Sequence, residues 1–445
     1  MSHSRKTVGI YTLGCKVNQY ESEAIAEGLA ARGFSVVPFA EICDAYIINT
    51  CTVTAESDRK ARQLIRRAIK NNPTAFVIVT GCMAEVFSDK ISKIAGVDYI
   101  CGNGHKLQVI DALENLFAKG CKNDAPEISI SPLDEFEAMQ IARFDRTRAY
   151  IKIEDGCENR CTYCIIPEAR GKVRSKSPLD VLSEVRALTD DGCREVVLTG
   201  IETASYGRDF DNGYRLADLL EEVDAIPGIG RVRLGSLDPS LMKPDFVGRI
   251  AKLKSLTPHF HLSMQSGSDR ILALMKRKYN RKMALEGMER LRAAMPGVQF
   301  TTDIIVGFPG ETEEDFALTV DFAKKAKFLM IHVFPYSERR GTVAATLPGR
   351  VPEEIRHARV HELSAVQAEI QKEILDSYTN TAVSVLFETF ADGIAIGHTD
   401  TFVEVSCPVP HPLQSQLHTV YISGNDGKKC VGTLCPQLNT QTGDK

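Results

Sequence analysis

The chain has 445 residues, 43% of them hydrophobic and 25% charged, with a formal net charge of −4. At about 150 residues per domain this length predicts roughly three domains, and no apolar run approaches the ~20 residues of a membrane span, so no membrane partner is expected. A slightly acidic chain does not coat nucleic acid by charge alone, which leaves only a local basic patch for that purpose.

The opening stretch MSHSRKTVGIYTLG is too short and too polar for a signal peptide, which predicts a cytoplasmic protein. In that reducing compartment the 13 cysteines are expected as core residues or ligands rather than disulfides. VGIYTLG reads as a strand, and ESEAIAEGLAARG then places Ala24, Ile25, Gly28 and Leu29 on one helical face and closes at Gly33. DAYIINT is the next strand, AESDRKARQLIRRAIKNN a helix, and AFVIVTG a further strand, so an open parallel sheet with covered faces is predicted. Cys15, Cys51 and Cys82 each follow directly on one of these strands. Ligands of such sheets bind at the strands' carboxyl ends, so these cysteines converge on one edge as a candidate metal site. The alternative is that each is a small buried core residue.

Residues 106–142 read as a helix followed by an irregular connector. Six strand-like runs follow, AYIKI, EVVLTG, RVRLGS, HFHLSM, QFTTDIIVG and FLMIHVFPY, separated by helical segments. Such a series predicts a partial TIM-like (βα)6 barrel with its site at the strands' carboxyl ends. Polar residues gather at those ends: Cys157, Thr199 to Glu202, Ser236, Gln265, Ser266, Asp303, Tyr336 and Ser337. Beyond Tyr378 the short runs AVSVLFETF, IAIGHT, FVEVSC and HTVYISG predict a small all-β module. The overall class is therefore α/β with a β appendix.

GCENRCTYCIIP places Cys157, Cys161 and Cys164 within eight positions. A structural zinc site closes its coordination with a fourth ligand, and none lies nearby; Cys193 reads as core. Iron–sulfur clusters also take Cys thiolates, normally four. A cluster held by three leaves one iron open to an outside ligand. A non-catalytic, zinc-stabilised RNA-binding protein is the alternative of a different class.

CENRCTYC, with GC before it and IIPEARG after it, resembles the cysteine loop of the radical S-adenosylmethionine enzymes. TLGCKVNQYES, NTCTVT and TGCMAE, with LTGIETASYG, HLSMQSGSDRIL, TDIIVGFPGETEEDF and PYSERRGT downstream, resemble the methylthiotransferases of that superfamily. GCKVNQYES is most similar to the branch acting on N6-threonylcarbamoyladenosine in tRNA; the isopentenyladenosine and ribosomal-protein branches, which are the alternatives, carry other residues after that Gly-Cys. The resemblance implies an N-terminal methylthiotransferase domain over 5–110, a radical S-adenosylmethionine core over 143–373, and an OB-like TRAM module over 375–440. It implies two 4Fe-4S clusters, one on Cys157, Cys161 and Cys164, the other on Cys15, Cys51 and Cys82, each with an open iron. S-adenosylmethionine serves as radical source and methyl donor, and no side chain is assigned as catalytic. The expected product is 2-methylthio-N6-threonylcarbamoyladenosine, next to the anticodon. A flavodoxin- or ferredoxin-like electron donor and a sulfur donor are implied partners.

Gly200 and Glu202 are expected at the methionine moiety of the cofactor, with Gln265, Ser266, Ser236 and Asp303 further round the barrel mouth. GSLDPS carries Asp238 where the family more often has Glu. For the tRNA, Arg143, Arg146, Arg148, Arg170, Lys172 and Arg174 bracket the cysteine loop as a candidate basic patch. The β module runs against that pattern: Asp376, Glu388, Asp392, Asp400, Glu404, Asp426 and Asp444 face only Lys428, Lys429 and Lys445. It is expected to read shape or to pack on the barrel.

Overall fold

A computed structural model describes residues 5–143 and 146–436. The N-terminal domain is a sheet of β1 (Thr7–Thr12), β2 (Ser35–Val37), β3 (Ala45–Thr50), β4 (Phe76–Gly81), β5 (Tyr99–Cys101) and β6 (Glu127–Ser129). All its pairs are parallel, in the order β2-β1-β3-β4-β5-β6. Helices α1 (Lys16–Ala31), α2 (Ala55–Asn71), α3 (Cys82–Ile91) and α4 (Gln108–Lys119) cover it. β3 and β4 are buried at every position, as the continuous apolar runs of a covered parallel sheet must be. β2, β5 and β6 hold three residues each, too few to display a period in sequence. β6 lies in the stretch expected to be connector, so the sheet runs beyond residue 110.

The core begins with β7 (Ala149–Lys152). The two-residue strands β8 (Glu154–Asp155) and β9 (Arg174–Ser175) then pair antiparallel and tie the neck of an excursion that carries Cys157, Cys161, Cys164 and α5 (Ile166–Arg170). After them come α6 (Pro178–Asp190), β10 (Glu195–Thr199), α7 (Leu216–Asp224), β11 (Arg231–Leu234), β12 (Ser236–Leu237) and α8 (Pro244–Ile250). The core closes with β13 (His259–Gln265), α9 (Asp269–Leu274), α10 (Arg281–Ala294), β14 (Gln299–Val306), α11 (Glu313–Ala326) and β15 (Met330–Pro335). All six predicted barrel strands are present. The parallel arc is divided into β11-β10-β7 and β12-β13-β14-β15, the break falling at Gly235 between β11 and β12.

Helix α12 (Glu353–Asp376) packs on β15 and leads to the C-terminal module. There β16 (Ala382–Ala391), β17 (Ile394–Thr399), β18 (Glu404–Pro408), β19 (Leu417–Asn425) and β20 (Cys430–Leu434) form a closed five-stranded barrel in the order β16-β17-β18-β20-β19. The expected end of this module at 440, and Asp444 and Lys445, lie outside the described residues. The module packs on the barrel, against residues at the beginning of the core strands. Arg231, first in β11, donates to the Ser384 carbonyl at 2.8 Å, and Arg148, just before β7, pairs with Glu388 at 2.7 Å. Phe402 is the plug, stacked on His259 at 4.7 Å and His398 at 4.5 Å, with the Arg148 and Arg233 guanidinium groups over its ring. One hydrophobic cluster runs from Tyr20 and Ala24 of α1 through the core to Val385 and Phe387, so the three segments pack as one body.

Candidate active site

The order β2-β1-β3-β4 reverses direction between β1 and β3, and ligands of open α/β sheets bind at that switch point. Cys15 and Cys51 follow the two strands that flank it, and Cys82 follows β4. Cys15 caps α1 and Cys82 opens α3, so both sulfurs stand at helix N-termini, where backbone amides favour an anion. Gly14 has φ +102°, and a Cβ there would lie 2.8 Å from Cys51 Cβ; the bare backbone lets the Cys15 and Cys51 loops close on each other. Burial pushes the Cys51 thiol up to about 12, with the neighbouring Cys82 and Cys15 adding to the shift. Cys15 reaches solvent at its surface, and the protein packed around it still raises its thiol against the pull of Arg170. Unligated, these thiols stay protonated; positive charge or iron is needed to make them thiolates.

The second cysteine loop is clamped by its backbone. The Cys157 amide donates to the Gly171 carbonyl at 3.0 Å, Thr162 exchanges backbone bonds with Met275 and Ala344, and its hydroxyl donates to the Leu274 carbonyl at 2.9 Å. Gly156, at φ +87°, has no room for a Cβ, which would meet the Lys172 carbonyl oxygen at 1.8 Å. Arg277 Nη1 donates to Cys161 Sγ at 3.1 Å, while its other nitrogens reach Asp238, Tyr279 and the Ser263 carbonyl. Among the described residues no three His, Cys, Asp or Glu side chains close around a single metal ion. A four-iron cluster takes each thiolate on a different iron, a wider spacing of sulfurs than a single metal ion requires.

The three core cysteines open into a cavity of about 320 Å³, lined also by Asn159, Glu202, Ser263, Gln265, Arg277 and Asp303. Val53 and Thr54, two and three residues after Cys51, form part of its wall. The loop that leaves Cys51 therefore borders the space into which the core cysteines open, while Cys15, Cys51 and Cys82 stand behind that wall. Glu202 is held by the Asn159 amide at 3.2 Å, and its backbone N–H donates to Glu154 at 2.8 Å. Its other carboxyl oxygen is buried with no hydrogen-bond partner among the described residues. Burial, reinforced by Asp238, raises the Glu202 carboxyl to about 7, with Arg277 opposing. Gln265 has φ +66°, a strained conformation for a side-chain-bearing residue, at an irregular end of β13. Asp303 pairs with His261 at 3.3 Å.

Among the expected cofactor residues, Glu202, Gln265 and Asp303 line the cavity and the others do not. Gly200 packs on Glu154: a Cβ there would lie 2.5 Å from Glu154 Oε2, the oxygen that accepts the Glu202 amide. The Ser266 side chain is buried and turned to Thr319 and the Ser268 amide. Ser236 is half-buried on β12.

The expected basic patch is half internal. Arg143, Arg146 and Lys172 are exposed, whereas Arg148, Arg170 and Arg174 are consumed in ion pairs and backbone bonds inside the protein. Spacing along the chain cannot tell an outward arginine from one that ties two domains together. The same ambiguity applies to Arg277, which stands between Lys276 and Lys278 in the chain yet turns its side chain inward to Asp238 and Tyr279.

Lys16 was not singled out by sequence although it directly follows Cys15. On α1 it shares a stripe with Tyr20, Glu23 and Glu27, spaced four, seven and eleven residues on, each of which contacts the core segment. Burial lowers its pKa, the Arg233 and Arg148 charges add to that shift and Asp303 opposes it, and it forms no ion pair among the described residues.

A Radical SAM superfamily model matches residues 151–323, and a model described as uncharacterized protein family UPF0004 matches residues 7–102. The threonylcarbamoyladenosine tRNA methylthiotransferase MtaB of Bacillus subtilis is 39% identical, covering 90% of each chain. Its namesake from Aquifex aeolicus is 38% identical over 83% of this chain and 90% of its own length. The tRNA-2-methylthio-N(6)-dimethylallyladenosine synthase of Moorella thermoacetica is 37% identical over 87% of this chain and 88% of its own. Among solved structures, the radical S-adenosylmethionine methyltransferase TsrM from Kitasatospora setae, with cobalamin and a [4Fe-4S] cluster bound, shares the fold at a TM-score of 0.56, with 15% identity and 77% of both chains covered. These relationships set aside the non-catalytic zinc protein. The chain is an enzyme and belongs to the radical S-adenosylmethionine methylthiotransferase family.

Proposed function

We propose that the protein methylthiolates C2 of N6-threonylcarbamoyladenosine in tRNA, using a 4Fe-4S cluster on Cys157, Cys161 and Cys164 and a second on Cys15, Cys51 and Cys82. The observation that carries this reading is the shared cavity, in which the loop after Cys51 forms one wall and the three core cysteines another. The donor sets fit such clusters: three thiols each, at helix N-termini or on a clamped loop, with a guanidinium N–H on one sulfur of each set. When bound, the clusters and S-adenosylmethionine supply the radical that opens the adenine C2–H bond, the sulfur and the methyl group. A flavodoxin- or ferredoxin-like donor and a sulfur donor complete the cycle.

The chain's own groups position and shield. The unpartnered Glu202 oxygen suits the ammonium of the cofactor's methionine moiety, and Gln265 and Asp303 face the same space. Because the free carboxyl titrates near 7, raised from its usual value, the neutral acid is favoured below that point and the anion above it. Cofactor affinity is therefore expected to rise about tenfold from about pH 6 to about pH 8, following the ionised fraction. Glu202→Gln should bind more weakly and lose this dependence, as isothermal titration against S-adenosylmethionine would show. A parallel slope in Glu202→Gln would contradict the assignment.

Similarity to the two branches differs little, so identity alone does not choose the substrate. Lys16 favours the threonylcarbamoyl group, which carries a free carboxylate where the dimethylallyl group is wholly apolar. Lys16 stands beside Cys15 with no ion pair among the described residues; burial, Arg233 and Arg148 hold its pKa below the usual lysine value, and a substrate carboxylate would restore the ammonium. Lys16→Met is expected to lower kcat/KM on threonylcarbamoyl tRNA about 30-fold, the worth of one charge-assisted bond. Turnover of isopentenyl tRNA should not fall. Competition between the two tRNAs on reconstituted enzyme tests this, and an equal loss on both would refute it.

A further inference from the structure

The carboxyl end of α5 grips both cysteine sites at once. The Gly171 carbonyl accepts the Cys157 amide at 3.0 Å, and one residue earlier the fully buried Arg170 side chain crosses into the N-terminal domain. All five of its N–H groups have acceptors. Nε donates to Cys82 Sγ at 3.3 Å, Nη1 to Glu21 Oε1 at 2.6 Å and Asp155 Oδ2 at 3.1 Å, and Nη2 to Asn18 Oδ1 and to Glu21 Oε2 at 3.1 Å. These partners belong to the two cluster loops. Asn18 and Glu21 lie in the first turns of the helix that Cys15 caps, and Asp155 stands two residues before Cys157.

Arg170 belongs to a wider buried ion network. Glu21 and Asp155 are shared among four buried cations, Lys106, Lys152, Arg170 and Arg174. Glu85 and Glu137, close by, accept backbone amides of Asn103, Lys106 and Leu107, and burial favours their neutral form. With its other N–H groups taken up by Glu21, Asp155 and Asn18, the buried guanidinium turns Nε to the Cys82 sulfur, which it favours as an anion. Arg277 makes the matching contact to Cys161, but every partner it has lies in the core. Arg170 alone of the two reaches from one cluster loop to the other.

We propose that Arg170 is the positioning residue that couples the two sites: it fixes Cys82 against the Cys157 loop and supplies the positive charge against which Cys82 binds iron as a thiolate. This rests on the two-cluster reading above. A donor on a ligand sulfur stabilises the reduced, more negative cluster, so its loss moves the potential negative. The loosened joint lets the radical form without meeting the sulfur it should be paired with.

Arg170→Met and Arg170→Lys, the latter keeping the cation but not the fork, test this in full-length, anaerobically reconstituted protein. The second cluster's midpoint potential is read by dithionite titration with EPR detection, in chains where Cys157, Cys161 and Cys164 are alanine. The expected results are a negative shift in both variants and, with all cysteines present, about tenfold more deoxyadenosine released per methylthio nucleoside. Should Arg170→Met not fold, Arg170→Lys decides. Wild type with about eight irons per chain, and an unshifted potential and unchanged ratio in Arg170→Lys, overturns the inference alone. Wild type holding only about four irons overturns the two-cluster reading beneath it.

Discussion

Replacing Cys15, Cys51 and Cys82 together by alanine is expected to lower the iron content from about eight atoms per chain to about four, and to abolish the methylthio product while deoxyadenosine still forms. The separation follows from where the cysteines sit. The Cys157 loop is tied by the β8–β9 neck, the Gly171 carbonyl and the Thr162 bonds, all within the core. None of these needs the other trio. The wall that the loop after Cys51 contributes to the cavity survives as backbone, so S-adenosylmethionine still binds and is cleaved. What vanishes is the sulfur. Iron that stays near eight in the triple variant, by colorimetric assay, would remove the second site from the account.

Phe402→Ala is expected to cost about 3 kcal/mol of stability, toward the lower end for a large aromatic because the ring is only half-buried. The ring fills the joint between the β module and the barrel, stacked by two histidines and flanked by two arginines. Its removal leaves Arg148 and Arg233 with Glu195 and Glu388 in a looser, wetter setting. Urea unfolding of the holoenzyme measures the loss. Iron content should be untouched, because the joint lies at the strand starts and the clusters at the strand ends. Unchanged stability would mean that the module is carried by α12 and not by this contact.

Much of this architecture was legible beforehand, for physical reasons that differ by segment. Continuous apolar runs such as AYIINT and FVIVTG mark strands buried on both faces, and cysteines placed directly after them mark the edge proposed for a cluster without any knowledge of order. The order β2-β1-β3-β4 was not legible, because β2 and β5 are three-residue strands. That order is what sets Cys15 and Cys51 on either side of one switch point. Charge was the weakest guide. Arg148, Arg170 and Arg174 sit in a sequence as basic as a phosphate-binding surface, yet their partners Glu195, Glu21 and Asp155 are distant in sequence or on another element. The acidic β module resolves similarly: Glu388 faces inward, to Arg148 and His398.

Mass spectrometry of nucleosides from tRNA of cells with and without the gene tests the proposed substrate. The expected result is that 2-methylthio-N6-threonylcarbamoyladenosine disappears in the deletion and is replaced by N6-threonylcarbamoyladenosine, with 2-methylthio-isopentenyladenosine unchanged. Persistence of the threonylcarbamoyl product in a strain without a paralogue would contradict it.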